Sequence, residues 1–246
     1  MRRDAFFAAV RSNPFPGTLT ATQVSGMEAI LDEWDRRRVM NDLRWLAYML
    51  ATTYHETART MQPIREKGGA SYFKRYEGRK DLGNTSPGDG IKFHGRGYVQ
   101  LTGKSNYVRA SKKLGVDFVA DPDRVMEPKH AATIMFAGMM EGWFTGKKLG
   151  DYFKDGKADW KNARRIINGL DKADTIAVYG KAFYAALQSA ATGDMSAPET
   201  PQPSVKPSPD DPGTKPQPVP ERPSAGPWGG LGNLLAVIVR ALFGRR

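Results

Sequence analysis

Residues 41–61 read NDLRWLAYMLATTYHETARTM, and the fold turns on how this stretch is placed. From Trp45 to Tyr54 it carries no charge. Leu43, Leu46, Leu50 and Tyr54 form one stripe at helical spacing, and Trp45, Met49 and Thr52 form a second. A helix that is apolar on more than one face lies inside a domain rather than on its surface. Glu56 falls four residues beyond Thr52 and seven beyond Met49, so it continues the second stripe at the helix end. Burial disfavours a charged carboxyl and is expected to raise the pKa of Glu56, as a general acid requires. The other reading is a buried glutamate held by an arginine for structural reasons; this segment alone leaves both open.

Outward from that helix, the periodicity predicts helices over residues 3–11, from Thr20 onward, over 105–114, from Pro128, over 160–167 and over 174–190. Thr20 with Gln23 makes a capping-box pattern. Residues 62–97 are rich in Gly, Pro, Asp, Asn and Arg, with Tyr72, Phe73, Tyr76 and Phe93 among them. A loop-rich region of that length beside a buried helix is expected to wall a cleft. The fold class is therefore mainly α, with a small irregular or β-hairpin lobe.

The domain boundary is written in proline. Eleven of the 17 prolines lie between Pro198 and Pro227. This divides the chain into a folded unit at 1–195, a Pro-rich flexible linker at 196–227 and a short element at 228–246. Within that last element, LGNLLAVIVRALF at 231–243 is strongly apolar, with Arg240, Arg245 and Arg246 nearby. It is too short to cross about 30 Å of hydrocarbon. The expectation is an amphipathic cationic helix lying in an anionic membrane surface.

Formal net charge is +11. Six basic and four acidic residues follow Met195, which leaves +9 on residues 1–195. Such a balance draws polyanions: nucleic acid, anionic membrane or the acidic polymers of a cell envelope. Cysteine is absent, which excludes thiol catalysis, thiolate metal sites and disulfides. The apolar run after Met1 is too short for a secretory signal, so synthesis and folding in a reducing cytosol are expected, with action elsewhere only after release by another agent.

Three tempting motifs fail. Gly97 and Gly103 enclose five residues before Lys104-Ser105, where a phosphate loop needs four. After His55-Glu56 the second zinc-ligand position holds Arg59 rather than histidine. With three histidines (His55, His94, His130) the expectation is no metal and no cofactor. There is no Gly-x-Ser-x-Gly elbow. What remains is carboxylate chemistry. Glycoside hydrolysis needs two carboxyls flanking the scissile bond. After Glu56 the nearby candidates are Glu66 and Glu77, and Glu77 has Arg75 and Arg79 on either side as ion-pair partners.

Tyr54-His55-Glu56-Thr57, then Gly95-Arg96-Gly97-Tyr98-Val99-Gln100-Leu101-Thr102-Gly103, Asn106-Tyr107 and Ile167-Asn168-Gly169 together resemble glycoside hydrolase family 19. That family includes chitinases and the endolysins (lysozymes) of bacteriophages. The resemblance spans roughly residues 5–190, with the motifs in order. It implies a lysozyme-like, two-lobed fold with a deep cleft and an inverting mechanism. Glu56 matches the general acid. In the phage-type branch the second acid comes about ten residues on, which points to Glu66, favoured because the overall pattern looks phage-type. In the plant-type branch it comes about twenty on, which points to Glu77. Thr102 matches the hydroxyl residue that helps hold the attacking water. Gln100, Asn106 and Asn168 match sugar-contacting positions, with His55 and Tyr98 beside them, and Tyr72 and Tyr98 offer rings for sugar stacking. Arg65 and Lys67 are expected to keep Glu66 ionised. Two departures stand out: Ala58-Arg59 replaces a usual pair of glycines, and His94 replaces an aromatic or aliphatic residue.

The function expected from this reading is an endolysin-type glycosidase cleaving β-1,4 bonds between the amino sugars of bacterial peptidoglycan. The alternatives are a chitinase acting on chitin and a catalytically inert basic module binding cell wall or nucleic acid. The expected partners are peptidoglycan or a related amino-sugar polysaccharide and an anionic membrane surface, without nucleic acid, the protein acting as a monomer.

Overall fold

The computed structural model describes residues 1–37 and 40–192. The linker at 196–227 and the element at 228–246 lie outside the described residues. Among the described residues, eight α-helices follow in order: α1 (Arg3–Ser12), α2 (Ala21–Arg36), α3 (Leu43–Glu56), α4 (Ala70–Phe73), α5 (Asp89–Lys92), α6 (Lys104–Leu114), α7 (Pro128–Glu141) and α8 (Ala173–Thr192). Two small antiparallel strand pairs accompany them among the described residues: β1 (Ile64–Arg65) with β2 (Arg96–Gly97), which are distant in the chain, and β3 (Phe153–Lys154) with β4 (Lys157–Ala158), a hairpin. The mainly α expectation holds.

The local signals behave as their chemistry demands. Thr20 and Gln23 close a reciprocal capping box at the start of α2. Asp42 caps α3 by accepting the N–H of Arg44. Gly115 and Gly142 end α6 and α7 in the left-handed conformation that glycine adopts without Cβ strain. The segment at 160–167 differs from expectation. Only Asn162–Ile166 is helical there, and it is a 3-10 helix. Its start is tied to Asp159, which accepts the N–H of Asn162, and the turn at Asn168-Gly169 follows directly.

As its two stripes required, α3 is buried from Leu46 to Tyr54. It packs between α8 and α2 in the larger of two hydrophobic clusters. Each large side chain buried there, such as Leu46, Met49 or Leu50, contributes about 1.5–3 kcal/mol. The smaller cluster gathers Phe93, Leu101, Tyr107, Phe118, Val125 and Trp143 around α6. Helix α7 serves both, giving Met135 and Phe136 to the first and Ile134 and Ala137 to the second. The two bodies are thus welded through one helix. Glu56 belongs to the first body, at the end of α3, while Glu66 follows β1, which pairs with β2 at the edge of the second.

Candidate active site

Glu56 is the last residue of α3 and is 5% exposed. Its surroundings are not merely greasy. The guanidinium of Arg164, itself 1% exposed, donates from Nη1 to Glu56 Oε1 at 2.5 Å. Arg164 Nε also donates to the carbonyl of Asp171 at 3.2 Å. The arginine-held glutamate of the second sequence reading is therefore the observed arrangement, and it accompanies a candidate acid rather than replacing it. Nearby, Arg164 Nη2 and the Tyr48 hydroxyl are buried without a hydrogen-bond partner among the described residues. His55 precedes Glu56, is half-buried, and has its pKa lowered by burial.

The turn leaving α3 explains one departure. Where glycines are usual, Ala58 and Arg59 adopt φ of 50° and 68°, and Met61 follows at 57°. The glycine-type backbone is kept without glycine, and such strain persists only where the surroundings hold it. Thr57 does the holding: its hydroxyl donates to the Thr53 carbonyl and accepts the N–H of Met61.

Glu66 is 6% exposed and is seated by backbone and phenol. Gly95 N–H donates to Oε2 at 2.9 Å, and the Tyr76 hydroxyl donates to Oε1 at 2.9 Å. The Glu66 N–H returns a bond to the Gly95 carbonyl at 2.8 Å. A Cβ at Gly95 would stand 2.9 Å from Gln100 Oε1 and 3.1 Å from Glu66 Oε2, so a side chain here would press on both groups. The expectation that neighbouring cations keep the pKa of Glu66 low is corrected. Burial pushes its pKa up, against the bonds from Gly95, Tyr76 and Tyr72 and the charge of Arg75. Arg65 points elsewhere, pairing with Asp123 at 2.6 Å.

Glu77, the other candidate second acid, is committed to the backbone. Its oxygens accept the N–H groups of Gly88 and Gly90. The arginines beside it do not pair with it: Arg79 binds Asp81, and Arg75 lies 3.6 Å over the Tyr72 ring. The same guanidinium covers a face of Tyr72 that was expected to meet sugar. Tyr98 is corrected more firmly. It is fully buried in the larger cluster and donates to the Gly26 carbonyl at 3.2 Å, so it packs the core.

The Gly95–Gly103 loop is braced from within. Gln100 holds φ of 53° and donates through its amide to the carbonyls of Ile64 and Gly97. The Thr102 hydroxyl donates to the Gln100 carbonyl at 2.8 Å, and Asn106 Nδ2 donates to the Thr102 carbonyl at 2.8 Å. All three are half-buried, consistent with a wall that shapes a site. Asn168 is buried, and its Oδ1 accepts the N–H of Gly169 at 2.7 Å. His94 does the work of the aromatic it replaces: its ring stacks on Phe73 at 4.2 Å, while Nδ1 donates to the Ile91 carbonyl. Among the described residues no cluster of three or more His, Cys, Asp or Glu could hold a metal ion. Nor is any described helix long and apolar enough to cross a membrane.

The residue that sequence reasoning missed is Arg164, 108 positions from its partner. A signal was present, since Trp160, Ala163, Arg164 and Ile167 recur at helical spacing and place this arginine on the inward side.

A buried helix ending in a carboxyl, joined through shared packing to a loop-rich body holding a second, defines the class of lysozyme-like, mainly helical glycosidase folds. The chain belongs to glycoside hydrolase family 19: residues 4–151 match that family under the description "Chitinase class I". It is 33% identical over 144 residues to Chitinase 8 of Oryza sativa subsp. japonica, covering 58% of this chain and 45% of that one. To an acidic endochitinase of Petunia hybrida it is 32% identical over 142 residues, covering 58% and 45%. The chain spans about half the length of the curated relatives it matches. Among solved structures, a bacterial family 19 chitinase superimposes with a TM-score of 0.51 at 20% identity, covering 75% of this chain and 93% of the other. Chitinase C from Streptomyces griseus HUT6037 does so at 0.51 and 18%, covering 76% of each. These two likenesses speak to fold.

Proposed function

We propose that this chain hydrolyses β-1,4 bonds between amino sugars by an inverting acid/base mechanism, with Glu56 as general acid and Glu66 as general base. The observation that carries the reading is the pair of buried carboxyls, one on a helix end beside Arg164 and one seated by Tyr76 and Gly95. Glu56 gives its proton to the glycosidic oxygen as the bond to the anomeric carbon breaks. Glu66 takes a proton from a water that attacks that carbon from the opposite face. Thr102, at the wall of the loop, helps to hold this water, and Gln100, Asn106, Asn168 and His55 contact the sugars. Solvent then returns both carboxyls to their starting states.

Chitin is the substrate that the names of the relatives favour. Peptidoglycan shares the β-1,4 amino-sugar backbone and adds negative charge, and the +9 carried by residues 1–195 suits it better than a neutral polymer. Its case also draws on the tail sequence: a Pro-rich tether at 196–227 leading to a cationic amphipathic element at 228–246 that directs a monomeric enzyme to an anionic envelope. Replacing Glu56 by Gln should lower kcat by about 10²–10⁴-fold with the fold retained. Undiminished turnover would remove Glu56 from the mechanism. Mass spectrometry of the new reducing end, from colloidal chitin and from purified peptidoglycan in parallel, identifies the substrate and the bond.

A further inference from the structure

The stretch Arg75-Tyr76-Glu77-Gly78-Arg79 has no role in the mechanism above, yet its central residues touch the second acid or brace what does. Tyr76 is buried, and its hydroxyl reaches Glu66 Oε1 at 2.9 Å. A phenylalanine would fill the same space, so the hydroxyl contributes the bond. The backbone behind it is fixed from two directions. Asn84 Nδ2 donates to the Tyr76 carbonyl at 2.9 Å, and Asn84 Oδ1 accepts the N–H of Lys104 that opens α6. Glu77, the next residue, holds the N–H groups of Gly88 and Gly90. The fit is close: a Cβ on Gly90 would lie 2.5 Å from the Glu77 nitrogen. The loop at 84–90 therefore clamps the 76–77 peptide and sets where the phenol points.

We propose that Tyr76 is a positioning residue for Glu66, held in register by Glu77 and the 84–90 loop. This rests on Glu66 being the second acid. With Oε1 held by the phenol and Oε2 by the Gly95 amide, rotation of the carboxyl is stopped and its remaining lone pairs face fixed directions. Donors to a carboxylate also favour its charged form, offsetting the burial that opposes it. The other groups acting on Glu66 are the Tyr72 hydroxyl and the Arg75 guanidinium. In its own segment Arg65 is turned to Asp123 and Lys67 follows in the chain, while across from it His94, its pKa lowered by burial, stacks on Phe73.

The experiment compares the parent with Tyr76→Phe and Glu77→Gln by kcat against pH and by carbon-13 NMR titration of the Glu66 carboxyl. Loss of one bond to the charged form should move the Glu66 titration, and the acid limb of kcat with it, upward by about one pH unit, a roughly tenfold loss of rate below the limb. KM should change less than about twofold, because Tyr76 is buried and exposes no surface for a substrate to bind. Glu77→Gln, which keeps one acceptor for the two glycine amides, should move both curves the same way by less. A Glu66 titration unmoved in Tyr76→Phe overturns the proposal whatever the activity does. Glu66→Gln with full activity would instead overturn the assignment of the second acid, and the titration would still decide whether Tyr76 holds that carboxyl.

Discussion

Replacing Arg164 by methionine tests the most consequential contact in the site. The guanidinium is 1% exposed, stands 2.5 Å from a carboxyl that is 5% exposed, and satisfies the Asp171 carbonyl as well. Methionine keeps much of the volume and none of the donors. Breaking a buried ion pair by removing one partner costs about 3–5 kcal/mol, because the other partner is left without compensation. For a body of this size each kcal/mol lowers Tm by about 2–4 °C, so the expected fall is about 6–20 °C. The decisive form is a double-mutant cycle read by urea denaturation. Glu56→Gln keeps an oxygen for Nη1 and should cost less than Arg164→Met. The double variant strands no charge and should be more stable than the sum of the single effects requires, by about 2 kcal/mol or more. Single effects that simply add to within about 0.5 kcal/mol would refute the reasoning, showing the two groups to be neighbours without energetic coupling.

Two further outcomes follow from the loop-borne acid. Burial raises the pKa of Glu66, so the folded state holds its proton to higher pH than the unfolded state does. This group therefore costs stability increasingly as pH rises from the unfolded value through the folded one. Glu66→Gln should gain stability relative to the parent as pH rises above the ordinary carboxylate value, about pH 4; a stability difference flat with pH, measured by denaturant titration, would contradict the burial argument. Gly95→Ala places a methyl 3.1 Å from Glu66 Oε2 and should displace the bond that seats it. Overpacking of this kind costs about 1–3 kcal/mol, and kcat should fall at least as steeply as stability; an alanine variant of full activity would show that the seating is looser than described.

The fold was legible where local chemistry and tertiary placement agree. The double stripe of residues 41–61 required a buried helix, and α3 is buried because neighbours cover more than one of its faces. The capping box at Thr20 and Gln23 read correctly because it satisfies backbone groups within a turn of itself. The helix read at 160–167 overreached, since hydrophobic spacing places residues on an inward side without distinguishing the 3-10 helix at Asn162–Ile166 from a longer α-helix.

The site was less legible, for a reason that separates its two acids. Helical spacing placed Glu56 inside, but the partner that accompanies it comes from 108 residues away, and no local pattern names a partner at that distance. For Glu66, sequence neighbours misled: Arg65 and Lys67 adjoin it in the chain, but adjacent residues on an extended segment point to opposite faces, and Arg65 is turned to Asp123. Tyr98 misled in the same way, its motif suggesting sugar while its ring fills the core. The groups that act on Glu66 instead arrive from Gly95, just before β2, and from the 70–76 segment, as an amide, two phenols and the Arg75 guanidinium. Residue types in a motif indicate which chemistry is available; the protonation of each carboxyl is decided by what tertiary packing brings against it. The arginine on Glu56 and the phenol on Glu66 are therefore the two contacts whose removal should alter the reaction most without touching either acid.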